Sequence, residues 1–367
     1  MKGRAVLFNE PLAPMRIGEY TVPDPLPGDA IIKINMSNVC GSDVHIWKGE
    51  LNLKSLGLPL PTIIGHEMVG TIHTLGSELK QDSSGLPLKE GDRVIYSYFK
   101  PCGHCRACVR NRPAECINSL NHISITSDDH PHFIGAFADY YYLHSGQMVF
   151  KVPEHVHDEL VVSINCAVSQ MMYAFDQIHP SMSDNIVIQG AGGLSLYAIP
   201  ILKEKGVHRI FVIDKNQKRL DLASEFGADF TININDMAKA EDRISFIKEH
   251  TDGWGADIII EVTGVPAVVQ EGIEMLGSGG NYIAIGNVTP GDTFDFAPSS
   301  LVLVNKKLLG IRMYDSKAMF NALNFVVKNR KKYPFEKITG KKFGLDSINE
   351  AFSEAASGNV YRAVVVP

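Results

Sequence analysis

The sequence predicts an α/β protein made of a β-rich domain followed by a doubly wound parallel sheet. Three observations carry this. A chain of 367 residues usually divides into about two domains. Up to about residues 160–170 the apolar residues fall in short strand-like runs punctuated by Gly and Pro. Beyond that point strand-like and helix-like runs alternate, the pattern of parallel strands joined by crossover helices.

In the first part the runs are RAVLF, DAIIKINM, TIIGHEMVGTIHTLG, GDRVIYSYF, FADYYYL and MVFKVP. Their alternation and turn residues predict antiparallel strands. His66 is expected at the end of an apolar strand, TIIG. In the second part NIVIQG reads as a strand, LSLYAIPILKEKG as a helix, RIFVID as a strand and NQKRLDLASEFGA as a helix. ADFTIN, ADIIIEVTG and NYIAIG continue the series. The last run, RAVVVP, resembles the first domain again, so the tail is expected to return to it. The expected boundaries are 1–166, 167–308 and 309–367, with a cysteine-rich lobe at about 100–117.

Composition narrows the function classes. An apolar fraction of 45% suits a globular protein, and a net charge of −6 offers no basic surface for nucleic acid or an anionic membrane. The cluster Lys328, Arg330, Lys331 and Lys332 reads as a solvated helix end. No run approaches 18 uninterrupted apolar residues. The N-terminus lacks an apolar signal core, which points to the cytoplasm.

There are six cysteines, and four lie in CGHCRACVRNRPAEC with the spacing C-x2-C-x2-C-x7-C. Cys102, Cys105, Cys108 and Cys116 can turn their sulfurs to one centre, and four thiolates suit a closed, structural Zn²⁺ site. Disulfides would be strained at this spacing. A ferredoxin-type iron–sulfur run would have a shorter last gap followed by Pro. Cys40, Cys166 and His66 read as an open site, since two thiolates and an imidazole leave a fourth position for water or substrate. Taken singly, His66 would be an ordinary hydrogen-bonded histidine and Cys166 a small buried hydrophobe.

The stretch NIVIQGAGGLSLYAIPILKEKG puts Gly190, Gly192 and Gly193, followed by Leu194, between a strand and a helix. Glycines there allow a tight turn and close approach to a pyrophosphate, which the helix N-terminus attracts. Ser195 replaces the last glycine of the usual pattern. Asp214, ending RIFVID, is placed to accept from a ribose 2′-OH and repel a 2′-phosphate, favouring NAD(H); it could also cap the next helix. Pro200 inside the predicted helix should remove a hydrogen bond or kink it.

With these residues in view, the chain resembles the zinc-dependent medium-chain alcohol dehydrogenase family. The matching residues are Cys40-Gly41-Ser42-Asp43-Val44-His45, Gly65-His66-Glu67-Met68-Val69-Gly70, Gly76, Gly91-Asp92-Arg93-Val94, the four-cysteine lobe, and the glycine loop with Asp214. The resemblance spans essentially the whole chain. It implies a GroES-like catalytic domain, a Rossmann domain, an active site in the cleft between them, two zinc ions per chain, NAD(H), and a homodimer or homotetramer. It implies that zinc activates a bound alcohol and that Ser42 passes the proton, by way of the nicotinamide ribose, to His45. Glu67 would stand behind the metal or move in to replace its water, and Asp43 could orient a ligand. Arg219 resembles a basic residue beside the adenosine ribose, and Arg362 one that reaches the pyrophosphate. Gln170 and Ser195 depart from the family pattern.

The substrate is expected to be a small molecule, a secondary or cyclic and fairly hydrophobic alcohol. CGSDVHIWKG also looks like polyol and sugar dehydrogenases, and an L-threonine-type dehydrogenase is a further alternative. Trp47, Leu56, Leu58, Tyr98, Phe99 and Phe137 are the candidate pocket walls. A non-catalytic NAD- or zinc-binding relative is the alternative from another class.

Overall fold

The computed structural model describes residues 1–358 and 360–367. Their contacts divide the chain into two units: 1–169, 313–330 and 335–367 form the first, and 170–312 with 331–334 the second.

The first unit starts with β1 (Lys2–Leu7), β2 (Arg16–Thr21), β3 (Ala30–Asn38), β4 (Glu67–Leu75), β5 (Arg93–Tyr96), β6 (Tyr140–Leu143) and β7 (Val149–Lys151). β1 and β2 form an antiparallel pair. β3 is the centre of the main sheet, pairing antiparallel with β4 and with β6. Its run AIIKINMSN suits a pleated surface buried on both sides, and Ala30, Ile31, Ile32 and Ile34 are all buried. Burial of each such large aliphatic or aromatic side chain contributes about 1.5–3 kcal/mol. Phe133, Tyr141, Tyr142 and Met68 complete the same core. Gly70 allows β4 to approach β3, because a Cβ there would lie 2.4 Å from Ile32 Cγ2 and 2.5 Å from the Lys33 carbonyl oxygen.

The expected strand TIIG is absent. Thr62 makes one bridge to Phe8, Gly65 turns the chain with φ of 94°, and pairing resumes only at Glu67. His66 thus precedes a strand instead of ending one, because the left-handed turn at Gly65 interrupts the ladder.

The second unit holds β8 (Asn185–Gln189), β9 (Arg209–Asp214), β10 (Phe230–Asn233), β11 (Ala256–Glu261), β12 (Leu276–Ala284) and β13 (Lys307–Gly310). All pair in parallel in the order β10-β9-β8-β11-β12-β13. Continuous apolar runs such as Ile186-Val187-Ile188 and Ile258-Ile259-Ile260 are buried, as expected of strands covered on both faces. The connecting helices include Gly193–Lys205, Gln217–Glu225, Ala240–Glu249 and Ala267–Met275. The strand order reverses between β8 and β11, and in such sheets ligands bind at the carboxyl ends of the strands there. The helix Gly193–Lys205 runs without a break through Pro200, so the proline costs the N–H bond and not the helix.

The chain returns to the first unit with the helix Ser316–Asn329, capped by Asp315 Oδ1 on the Ala318 N–H at 2.8 Å, then β14 (Lys342–Gly344) and β15 (Val364–Val366). β15 pairs antiparallel with the end of β3, Val364 facing Asn38 and Val365 facing Ser37. The division falls after Arg312 rather than after 308 because β13 extends the parallel sheet through Gly310. Residues 331–334 join the second unit, where Lys332 and the Tyr333 hydroxyl both bond Glu204. Among the described residues, no helix is long and apolar enough to cross a membrane.

Candidate active site and metal centres

The four cysteines of the lobe converge, with sulfurs within 4.8 Å of one another. Cys105 Sγ lies 3.6 Å from Cys108 Sγ and 3.8 Å from Cys116 Sγ. That is far beyond a disulfide of about 2.05 Å. Four sulfurs about 2.3 Å from a tetrahedral ion lie about 3.8 Å apart, so the spacing fits Zn(Cys)₄. The backbone N–H groups of Cys102 and Cys105 donate to Cys116 and Cys102 sulfurs at 3.3 Å, and Asn118 Nδ2 donates to Cys102 at 3.4 Å. The Asn118 amide and the His104 N–H draw Cys102 down to about 5. Burial and the neighbouring sulfurs push Cys108 up to about 12. The quartet cannot ionise fully by itself, which is what a cluster built for a cation should look like.

The second group is Cys40, His66 and Cys166, whose ligand atoms also lie within 4.8 Å of one another. Each comes from a different local structure. Cys40 is the extended N-cap of the helix Gly41–Lys48, where the helix end favours a thiolate. Asp43 at the third helical position accepts from the Cys40 N–H at 2.9 Å through Oδ2 and from His66 Nδ1 at 3.1 Å through Oδ1. This leaves His66 Nε2 free to face the site, where Ser42 Oγ stands 3.5 Å away. Cys166 sits in a π-turn, Ile164–Val168. Asn165 holds that turn: its Oδ1 accepts from the Met68 N–H at 3.3 Å, its Nδ2 donates to the Tyr96 carbonyl at 2.9 Å, and its own carbonyl accepts from the Tyr314 hydroxyl. Single-turn π-bulges recur at functional sites, and nothing in the sequence pattern announced this one.

The two buried thiols share one charge. The bond from Cys166, with help from Arg362 and His66, pulls Cys40 well below the usual thiol range, while the bond to Cys40 and burial push Cys166 well above it. Burial works against a charge on His66, but Asp43 and Cys40 outweigh it and lift the imidazole well above its usual value. A divalent ion would relieve this crowding and take both sulfurs as thiolates.

Behind the ligands lies a buried charge pair. Glu67 Oε1 meets Arg362 Nη2 at 2.9 Å, with side-chain exposures of 0% and 6%. Glu67 Oε2 accepts from Ser163 Oγ at 2.8 Å and Asn38 Nδ2 at 3.2 Å. Burial, partly offset by Arg362, raises the Glu67 carboxyl to about 7. The guanidinium of Arg362 reaches Glu67 because the pairing of β15 with β3 carries it into the first unit.

Of the expected pocket walls, Tyr98 stands beside a ligand, its ring 4.9 Å from that of His66. Trp47, half-buried, and Phe137, fully buried, pack on Phe352, and Leu58 lies against the same cluster. Phe99 is fully buried against Tyr314, and Leu56 is exposed. Trp47, Leu58 and Phe137 lie where they do because apolar residues of the helix Ile348–Ser357, Phe352 among them, close on that cluster in the first unit, which sequence position could not foresee. His45 bonds Glu50 through Nδ1 at 2.5 Å.

In the second unit the glycine loop follows β8. Gly190 has φ of 103°, and Gly192 caps the helix Gly193–Lys205 with open space where a Cβ would stand. The first N–H groups of that helix, including those of Gly193 and Leu194, are placed to hold an anion. Ser195 is fully buried and its hydroxyl donates back to the Gly190 carbonyl, so it closes the turn that a third glycine usually serves. Asp214, at the end of β9, accepts from the Ala191 N–H at 2.6 Å and the Asn216 N–H at 2.8 Å. Asn216, not Asp214, caps the next helix, through the Arg219 N–H at 3.3 Å. Gln170 Nε2 is engaged by the Ile311 carbonyl at 3.2 Å.

Glu261 was not foreseen. At the end of β11 it is fully buried and accepts from Thr263 N at 2.6 Å, Thr263 Oγ1 and Gly264 N at 2.8 Å, Asn287 Nδ2 at 2.7 Å and Gly286 N at 3.2 Å. It ties the loops after β11 and β12, at the carboxyl ends of the strands, where such sheets generally bind ligands. A buried Glu closing a strand before Val-Thr-Gly was the available signal.

Comparison with known proteins is consistent with both units. Residues 26–154 match the alcohol dehydrogenase GroES-like domain, and residues 193–328 match the zinc-binding dehydrogenase domain. The 5-exo-hydroxycamphor dehydrogenase of Pseudomonas putida is 29% identical over 356 residues, covering 95% of each chain. An L-threonine 3-dehydrogenase of Caldanaerobacter subterraneus is 30% identical over 79% of this chain and 78% of its own. The crystal structure of an alcohol dehydrogenase from Thermotoga maritima superposes with a TM-score of 0.92 at 30% identity, covering 100% of both chains. The chain is therefore a zinc-binding oxidoreductase with a GroES-like domain and a Rossmann domain, and it belongs to the zinc-dependent medium-chain alcohol dehydrogenase family.

Proposed function

We propose that the protein reversibly oxidises a secondary or cyclic, mainly apolar alcohol to the ketone with NAD⁺. The observation that carries this is the convergence of Cys40, His66 and Cys166 beside Ser42. Those three residues would hold a catalytic zinc, and Cys102, Cys105, Cys108 and Cys116 a structural one. The glycine loop, Asp214 and Arg219 would hold NAD(H). When bound, the zinc would favour the alkoxide of the alcohol and NAD⁺ would accept the hydride. Ser42 Oγ takes the hydroxyl proton and hands it toward His45, one helical turn further along the same face. Asp43 keeps His66 in the tautomer that offers Nε2 to the ion. Glu67 waits behind the ligands, held by Arg362, Ser163 and Asn38.

Two observations favour an apolar substrate. Tyr98 offers an aromatic face next to His66. The charged groups closest behind the ligands are already engaged, Glu67 with Arg362 and Asp43 with His66. A relative at 29% identity acts on 5-exo-hydroxycamphor, a cyclic secondary alcohol. Relatives named L-threonine 3-dehydrogenase supply the second reading. The test is an NAD⁺-coupled screen of cyclic alcohols, benzyl alcohol, sorbitol and L-threonine at alkaline pH. The cyclic alcohols should give the highest kcat/KM. A tenfold advantage for L-threonine or sorbitol would overturn the substrate class.

A further inference from the structure

We propose that Glu50 is a positioning residue for proton release, acting on His45. This rests on the reading of Ser42 and His45 as the proton path, and it goes beyond it by naming the group that orients the terminal acceptor.

The local chain makes the pair. The helix Gly41–Lys48 ends at Gly49, whose φ of 81° turns the backbone sharply. The Leu51 N–H then returns to the His45 carbonyl at 3.1 Å, which folds Glu50 back over the last helical turn. Its Oε2 meets His45 Nδ1 at 2.5 Å, with side-chain exposures of 43% and 31%. At this exposure water screens the pair, so it adds little to stability. Its consequence is orientation. A histidine whose Nδ1–H donates to a carboxylate presents Nε2 as the acceptor, and the ring cannot turn over without breaking that bond. Ser42 lies three residues before His45 on the same helix face, the side from which the proton arrives. A proton handed on from the Ser42 hydroxyl is taken up at His45 Nε2 and departs to solvent; only O–H and N–H bonds change. Glu50 holds the ring in place throughout and bonds to neither substrate nor metal.

Glu50→Gln, His45→Gln and the double variant test this in the zinc-loaded enzyme, by following the first turnover of NADH formation with saturating NAD⁺ and alcohol. An amide can still meet the ring but no longer dictates which nitrogen carries the proton. Glu50→Gln should slow that phase about 3- to 10-fold, a part of the roughly 10²–10⁴-fold that a positioned acid–base group supplies. KM for the alcohol should stay unchanged, and a small amine buffer should restore most of the rate. Adding Glu50→Gln to His45→Gln should cost nothing more. An unchanged rate in Glu50→Gln beside a slowed His45→Gln would overturn the role of Glu50 alone. So would losses that multiply in the double variant or that the amine fails to restore. An unchanged rate in His45→Gln would overturn the proton path itself.

Discussion

Asp43 binds two of the three candidate metal ligands at once, accepting from His66 Nδ1 at 3.1 Å and from the Cys40 backbone N–H at 2.9 Å. One fully buried carboxylate thus sets both the tautomer of the imidazole and the start of the helix that carries the thiolate. Ligand geometry in this site is decided one shell further out.

Asp43→Ala should therefore weaken metal retention by about 10- to 100-fold at this site and leave the cysteine lobe untouched. Chelator competition followed by metal analysis measures both sites. Equal retention in variant and parent would refute the role of Asp43.

The two metal sites should separate by variant. Cys105→Ser should lose one zinc per chain and lower Tm, because the four sulfurs that converge in the lobe would fold around that ion. Cys40→Ala should lose the other zinc and all turnover while the far-ultraviolet circular dichroism stays that of the parent. Full activity in Cys40→Ala would refute the catalytic assignment, and fewer than two zinc ions in the parent would refute the pair.

Asp214 joins the glycine loop to β9 through Ala191, and on the proposed reading its charge would disfavour an NADP 2′-phosphate. Asp214→Gly should lower the ratio of kcat/KM for NAD⁺ over NADP⁺ by about tenfold or more, since removing one like-charge contact is worth about 1.4 kcal/mol or above. An unchanged ratio would count against a ribose role.

Burial, with the positive charges of His144 and Lys100, depresses His122 from 6.5 to about 3. The unfolded chain takes up a proton near pH 6.5 that the folded chain refuses, so stability is present above 6.5 and falls as pH drops toward 3. The slope is about 1.4 kcal/mol per pH unit once below 6.5. Urea unfolding of parent and His122→Gln between pH 6.5 and 5.5 should show the variant with the shallower decline; parallel curves would refute the assignment.

Much of the site was legible because its signals are local. The sulfurs of the lobe are brought together by turns within one short stretch, so spacing alone implied convergence. The glycine loop and Asp214 sit at the ends of adjacent strands, and the alternation of strands and helices implies that adjacency. Glu67 and Ser42 were singled out by their nearness to ligand residues. The ion pair of Arg362 with Glu67 is the contrary case: strand pairing brings the two together, and no local pattern announced it.

The sequence by itself determined the fold class and the gathering of the four lobe cysteines, since these depend on periodicity and on neighbours in the chain; the grouping of Cys40, His66 and Cys166 rested on the family resemblance, and the tertiary structure brought them together. The tertiary structure alone decided what stands behind those ligands. Cys166 reaches the site on a π-turn that Asn165 and Tyr314 secure. Arg362 arrives because β15 adds to β3. Trp47 and Phe137 pack where Phe352 closes on them. Each of these contacts joins residues remote in sequence, and such pairs are chosen by which buried surfaces and charges must be satisfied together, a condition that no local pattern records.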